Sequence, residues 1–206
     1  MFSHLIKPLA TLMIATMVLC GIWQLGLAGQ VYAKACLAQY LLESAWRRTL
    51  TGERNVRPWP WADTWPVGEL TVPRLGIKQI VLAGDNGSVL AFAPGHTEAS
   101  ALPGKPGITL ISGHRDTSFG FLKDLRDGDT LKLKSPTGSF TYVVSELAVV
   151  DQRDFSIDPQ SKPLTLNTRL MLVTCYPFNA LQAGGNARFV VLALGTQKTT
   201  APKAQL

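Results

Sequence analysis

From Leu9 to Gly29 the sequence reads LATLMIATMVLCGIWQLGLAG, about 21 residues without a charge. In lipid every backbone amide must find its partner within its own segment, so a run of this length and composition has one stable option, a helix that spans the bilayer. Lys7 and the amino terminus precede the run and orient it with the N-terminus in the cytoplasm, while Lys34, Arg47 and Arg48 beyond it pull the other way. A cleavable signal peptide is the rival reading, because Ala33-Lys34-Ala35 has the small-x-small form of a cleavage site. The apolar run nevertheless exceeds the usual length of such segments, about 7 to 15 residues. A retained transmembrane signal anchor is therefore expected over residues 1–30.

Past the anchor the patterning changes twice. In VYAKACLAQYLLESAWRRTL, from Val31 to Leu50, Tyr32, Cys36, Tyr40 and Leu41 recur at helical spacing beside polar Lys34, Glu43, Arg47 and Arg48. This predicts a juxtamembrane helix, lying on a folded domain or at the lipid interface. The next stretch, RPWPWADTWPVG, holds three prolines and three tryptophans and cannot continue a helix, so it reads as an extended lead-in. Residues 31–66 are thus a connection, and the folded domain is expected from Val67 to residue 196, followed by a disordered polar tail over 197–206.

With 206 residues, 46% hydrophobic and 8% aromatic, the chain can bury one good core but not two large ones. A net charge of +6 and a pI near 9.4 raise nucleic acid as a partner, yet lysine and arginine are scattered rather than clustered, which argues against it. After Val67 short apolar runs alternate with Gly, Pro, Asn and Asp, the punctuation of a β protein. The expected strands are Glu69 to Val72, Gln79 to Leu82, Ile108 to Ser112, Thr130 to Lys134, Phe140 to Val150, Leu170 to Thr174 and Arg188 to Leu194. In TLKLKS leucine and lysine alternate, as a strand with one wet face requires. The stretch from Phe119 to Asp129 predicts one short helix. No repeated strand–helix–strand alternation is visible, so a small closed barrel is favoured over a doubly wound α/β sheet.

Chemistry is concentrated in few residues. Of three cysteines, Cys20 lies in the proposed span and Cys36 in the helix after it, which leaves Cys175 unpaired at the end of the apolar run RLMLVTC. A thiol becomes a nucleophile only as the thiolate, which needs a base or a cation nearby. His4 precedes the span and His96 lies in the loop APGHT, whereas His114 ends the strand GITLISGH and shares a strand-end position with Cys175. Arg188 opens the last strand after AGGNA, and its pH-independent fork of donors suits a developing oxyanion. Arg115 competes for that role, although alternation turns neighbours to opposite faces.

These residues resemble those of the sortases, membrane-anchored cysteine transpeptidases. The resemblance rests on LVTC at Leu172 to Cys175, SGHRD around His114 and the arginine of the next strand, in the order His, Cys, Arg. Further features run from Trp59 to Leu194, namely the PWP lead-in, LTVPRLGI, APGH and GHRDTSFGFLKDLRDGDTL, and together look like the sortases of Gram-negative bacteria. Met171 stands where many sortases have the first threonine of Thr-Leu-x-Thr-Cys. The resemblance implies a mainly β, eight-stranded closed barrel with short helices. It also implies cleavage of an LPxTG-like C-terminal sorting signal on an exported protein through a thioacyl enzyme, resolved by an amine or water. In that scheme Cys175 is the nucleophile, His114 moves protons, Arg188 holds substrate and oxyanion, and Thr174 shapes the substrate pocket. No metal and no organic cofactor is implied, and the enzyme belongs at the inner membrane with its catalytic domain on the periplasmic side. Two alternatives share residues with this one. An L,D-transpeptidase or other exported cysteine hydrolase would use Cys and His but lacks its Ser-His-Gly-Cys signature here. A metal-binding module would use His96, His114 and Cys175 without a close-spaced ligand pair.

Overall fold

The computed structural model describes residues 3–153, 168–180 and 185–199. The chain divides into two compact units, Met1–Tyr40 and Leu41–Leu206. The first consists of most of a single helix, α1 (Ser3–Leu50), whose apolar side chains from Leu12 to Tyr40 are exposed. Within Leu12–Leu50 an 18-residue window reaches a mean hydropathy of 1.8, so the helix is long and apolar enough to cross a membrane.

In the second unit, eight strands form one closed barrel: β1 (Pro66–Val72), β2 (Ile77–Ala83), β3 (Gly95–His96), β4 (Gly107–Ser112), β5 (Thr130–Ser135), β6 (Gly138–Asp151), β7 (Thr168–Cys175) and β8 (Ala187–Thr199). Their order around the barrel is β1-β2-β3-β4-β7-β8-β6-β5, and β5 closes back on β1 through Leu70↔Leu133. Closure leaves no unpaired edge. The period-two pattern decides which side chains face inward: in β5, Leu131 and Leu133 are fully buried while Lys132 and Lys134 are exposed. Leu70, Val72, Ile111, Leu170, Leu172 and Tyr142 fill the same interior.

A second apolar cluster joins the end of α1 to the barrel, with Leu42 and Trp46 packed against Ile80, Leu82, Val89 and Ala93. Val89 comes from the one-turn helix α2 (Gly87–Leu90), and Trp59 meets Phe92 edge-on at 4.8 Å. The lead-in is stitched to the barrel as well, since Thr64 Oγ1 donates to the Ala83 carbonyl at 2.7 Å. The compact unit consequently begins at Leu41, ahead of the expected Val67.

All seven expected strands are present, each at least one residue longer than anticipated. The eighth, β3, has two residues inside APGHT and is too short to show a period. The helix expected over 119–129 contracts to a 3-10 turn, Gly120–Asp124, which presents Phe121 and Leu122 to the core. The tail expected to begin at 197 overlaps β8, which runs to Thr199, and 200–206 lie outside the described residues.

Candidate active site

Two strand pairings assemble the site. β4 and β7 run parallel from Gly107↔Thr168 to Ser112↔Val173, so both chains leave the sheet at the same end. Past the last pair, Gly113 stays bound to β7, and His114 follows it directly. Hydrogen bonds maintain this register past the end of β4: Gly113 N–H donates to the Val173 carbonyl at 3.1 Å, and Thr174 Oγ1 donates to the Gly113 carbonyl at 2.7 Å. On the other side of β7, the antiparallel β8 puts Arg188 directly opposite Cys175. Cys175 and Arg188 therefore stand opposite each other on β7 and β8, and His114 lies two residues past the end of β4, the strand on the other side of β7.

The turn after β4 is built to present His114. Its carbonyl accepts the Phe119 N–H at 2.9 Å, folding 114–119 back on itself, and the fully buried Phe119 ring lies across Gly113. A Cβ on Gly113 would come within 2.6 Å of that ring, so only glycine permits the approach. His114 is exposed, and Cys175 is half-buried with its thiol free. Thr174, expected to shape the substrate pocket, is buried at 2% exposure with its hydroxyl engaged by Gly113. It acts on the site from behind, tying the histidine strand to the cysteine strand.

Arg188 is held rather than loose. Its Nη1 donates to the Gly185 and Ala187 carbonyls at 2.6 and 2.9 Å, and its Nη2 donates to Gln152 Oε1. Gln152 is itself fixed by its N–H on the Asn186 carbonyl at 2.8 Å. Nearby Asp151 is paired to Arg153 at 2.8 Å, whose hydrogen bonds hold its carboxyl below the usual range, with the charge of Arg188 acting in the same direction.

Arg115, the competitor for the oxyanion role, points elsewhere. It is buried, and its Nη1 and Nη2 donate to the Pro177 and Ala180 carbonyls at 2.6 and 3.0 Å. Nε and Nη2 also grip Asp116, at 2.9 and 3.1 Å. Those hydrogen bonds keep the Asp116 carboxyl below the ordinary carboxylate range; burial opposes them, and the charges of Arg115 and His114 act with them. Just past the thiol, Tyr176, Phe178 and Phe189 form an aromatic trio, with Phe178 and Phe189 edge-on at 5.2 Å. Neither the grip of Arg115 nor that of Gln152 was anticipated, because both act on partners distant in sequence.

The remaining candidates lie apart. His96 is buried in β3, its Nε2 within 3.1 Å of the Ala101 carbonyl and 3.2 Å of Ser100 Oγ. Among the described residues no three His, Cys, Asp or Glu side chains gather closely enough to share a metal ion. Cys20 and Cys36 lie in α1, within the other compact unit.

The signature of the Sortase domain matches residues 70–195 of this chain. Sortase D of Bacillus subtilis is 34% identical over 129 residues, which cover 60% of this chain and 61% of that protein. Sortase A of Listeria monocytogenes is 27% identical over 112 residues, covering 53% of this chain and 49% of that one. The matched region thus spans about three fifths and one half of these two relatives. Among solved structures, a Clostridium perfringens Sortase D5 transpeptidase superimposes with a TM-score of 0.60 at 23% identity, covering 79% of this chain and 99% of that one. That likeness establishes the shared fold.

Proposed function

The chain belongs to the sortase family of cysteine transpeptidases, and from that membership we propose that it is a membrane-anchored enzyme cleaving an LPxTG-like sorting signal near the C-terminus of an exported protein. The observation that carries this reading is the pairing of Cys175 with Arg188 across β7 and β8, with the His114 strand flanking β7 on its other side.

In the proposed reaction Cys175 and His114 work as thiolate and imidazolium. Cys175 Sγ attacks the threonine carbonyl carbon of the Thr-Gly bond, and the resulting oxyanion lies toward the Arg188 fork, which exchanges one of its present acceptors for it. As the tetrahedral intermediate collapses, the C–N bond breaks and the leaving glycine amine takes its proton from His114. A thioester to Cys175 remains. An incoming amine then attacks that thioester and loses its proton to His114, and Sγ departs as thiolate, restoring the pair. Water in place of the amine gives hydrolytic release. Splitting one amide exchange into two acyl transfers needs no group beyond these side chains. Thr174 supports the sequence by fixing the approach of His114 to Cys175.

A span over Leu9 to Gly29 fits this role, because exported substrates with their own C-terminal apolar segment share the membrane and meet the enzyme at raised effective concentration. In a Gram-negative cell the catalytic unit would face the periplasm from the inner membrane.

The test is cleavage of a peptide carrying an LPxTG-like sequence, with the acyl enzyme followed by mass spectrometry. Cys175→Ala and His114→Ala are expected to remain folded by circular dichroism, cleave only at background, and accumulate no adduct. A Cys175→Ala protein that still cleaves at the wild-type rate would remove the thiol from the mechanism.

A further inference from the structure

We propose that Arg115 is a positioning residue of the acyl-transfer site, whose guanidinium clamps the segment immediately following Cys175 and so sets the substrate-facing geometry of the thiol. Three observations carry this. Arg115 is buried at 8% exposure although it adjoins an exposed histidine, so the fold withdraws a permanent charge from water. Its two terminal nitrogens reach the Pro177 and Ala180 carbonyls, two and five residues past the nucleophile, and lie 62 and 65 residues away in sequence. All three nitrogens are engaged, with Asp116 bound by Nε and Nη2 in a two-pronged pair, so four of the five N–H donors of the guanidinium are already committed to protein acceptors.

The consequence is mechanical. Among the described residues, 176–180 make two other backbone hydrogen bonds of their own, Tyr176 N–H to the Ala187 carbonyl at 3.0 Å and Ala180 N–H to the Pro177 carbonyl at 3.3 Å. The Arg115 fork adds two charge-assisted bonds at the points where the turn would otherwise lift away. That turn carries Phe178, which packs on Phe189 at 5.2 Å and on Tyr176 at 6.1 Å, and Phe189 precedes Val190 directly after Arg188. The clamp thereby fixes the thiol strand and the arginine strand relative to one another. Asp116, 70% exposed, orients the fork from the solvent side. A planar guanidinium suits two diverging carbonyls and a carboxylate at once, whereas a lysine ammonium keeps the charge and loses the fork.

This inference rests on the acyl-transfer reading, and its test is chosen to separate the two. Arg115→Lys, Arg115→Ala and Asp116→Asn are made in the full chain in detergent, and circular dichroism checks folding. Hydrogen–deuterium exchange at the Tyr176 and Ala180 amides reads the clamp without reference to activity. KM, kcat and the pH profile for the sorting peptide read its effect on the reaction. Arg115→Lys is expected to speed exchange at both amides and raise KM about 10-fold, as a small misplacement of a reacting group does, with the pH profile unmoved because the charge is retained. Asp116→Asn should do the same more weakly, about 3-fold, since an amide oxygen can still receive part of the fork. Unchanged exchange in both arginine variants would overturn the clamp. Faster exchange with wild-type KM, or full rescue by lysine, would overturn the positioning role, and so would loss of the whole fold in Arg115→Lys. A wild-type chain that does not cleave the peptide would sink the functional reading instead, and exchange alone would then decide the clamp.

Discussion

At the scale of single residues, the chemistry of this site turns on which donors are committed and which can be released. Arg188 holds Gly185, Ala187 and Gln152, all acceptors at the rim of the site, so a substrate oxygen can replace one without a buried charge being left unpaired. Arg188→Lys is expected to lower kcat/KM about 100-fold, the usual loss of one oxyanion donor, while leaving the fold intact. Peptide-cleavage kinetics check this, and near-wild-type activity would move the oxyanion to backbone amides. The strand-end positions of Cys175 and Arg188 were legible in the sequence, whereas His114, expected to end its strand, lies two residues past the end of β4. The grips of Arg115 and Gln152 were not. Their partners are main-chain carbonyls and a guanidinium brought near only by folding, 62 residues apart in one case and 36 in the other, and such partners leave no local pattern. Thr174, to which the resemblance gives a part in shaping the pocket, is buried and alternates inward beside the half-buried Cys175.

At the scale of elements, α1 is the part whose reading changed most. Charge and hydropathy divide it near residue 30, but the helix is continuous to Leu50 and ends with Arg47 and Arg48 in its last turn, where positive charge complements the helix dipole, before Gly52 at a φ of 102°. Its final turns have a structural purpose: Leu42 is fully buried among Ile80, Leu82 and Val89. Leu42→Ala should lower stability by about 3 kcal/mol, whereas the more exposed Leu50→Ala should change it by less than about 0.5 kcal/mol. Thermal melting of the two variants decides this, and equal losses would deny that the helix end is part of the barrel's packing. The strands were legible because alternation such as TLKLKS follows directly from the pleat. β3 was not, since two residues held between β2 and β4 owe their conformation to their neighbours rather than to their own composition.

At the scale of the whole molecule, one compact unit holds a helix long and apolar enough to cross a membrane, and the other holds the closed barrel. The full-length protein is expected to stay in the membrane fraction after alkaline carbonate washing with its N-terminus intact. Recovery of a soluble chain starting near Cys36 would indicate cleavage instead, and N-terminal mass mapping distinguishes the outcomes. The barrel carries one more consequence, in the parallel pairing of β4 with β7. Gly113 and Thr174 meet across 61 residues of intervening chain, so the neighbourhood of the thiol is among the most non-local contacts in the fold. A ribosome releases His114 first, Cys175 much later and Arg188 last. Until β7 slides in beside β4 and β8 covers its other flank, the nascent chain carries Cys175 without the neighbours that the proposed mechanism gives it. On the proposed mechanism, the order of synthesis itself keeps the nucleophile idle until β8 has been made.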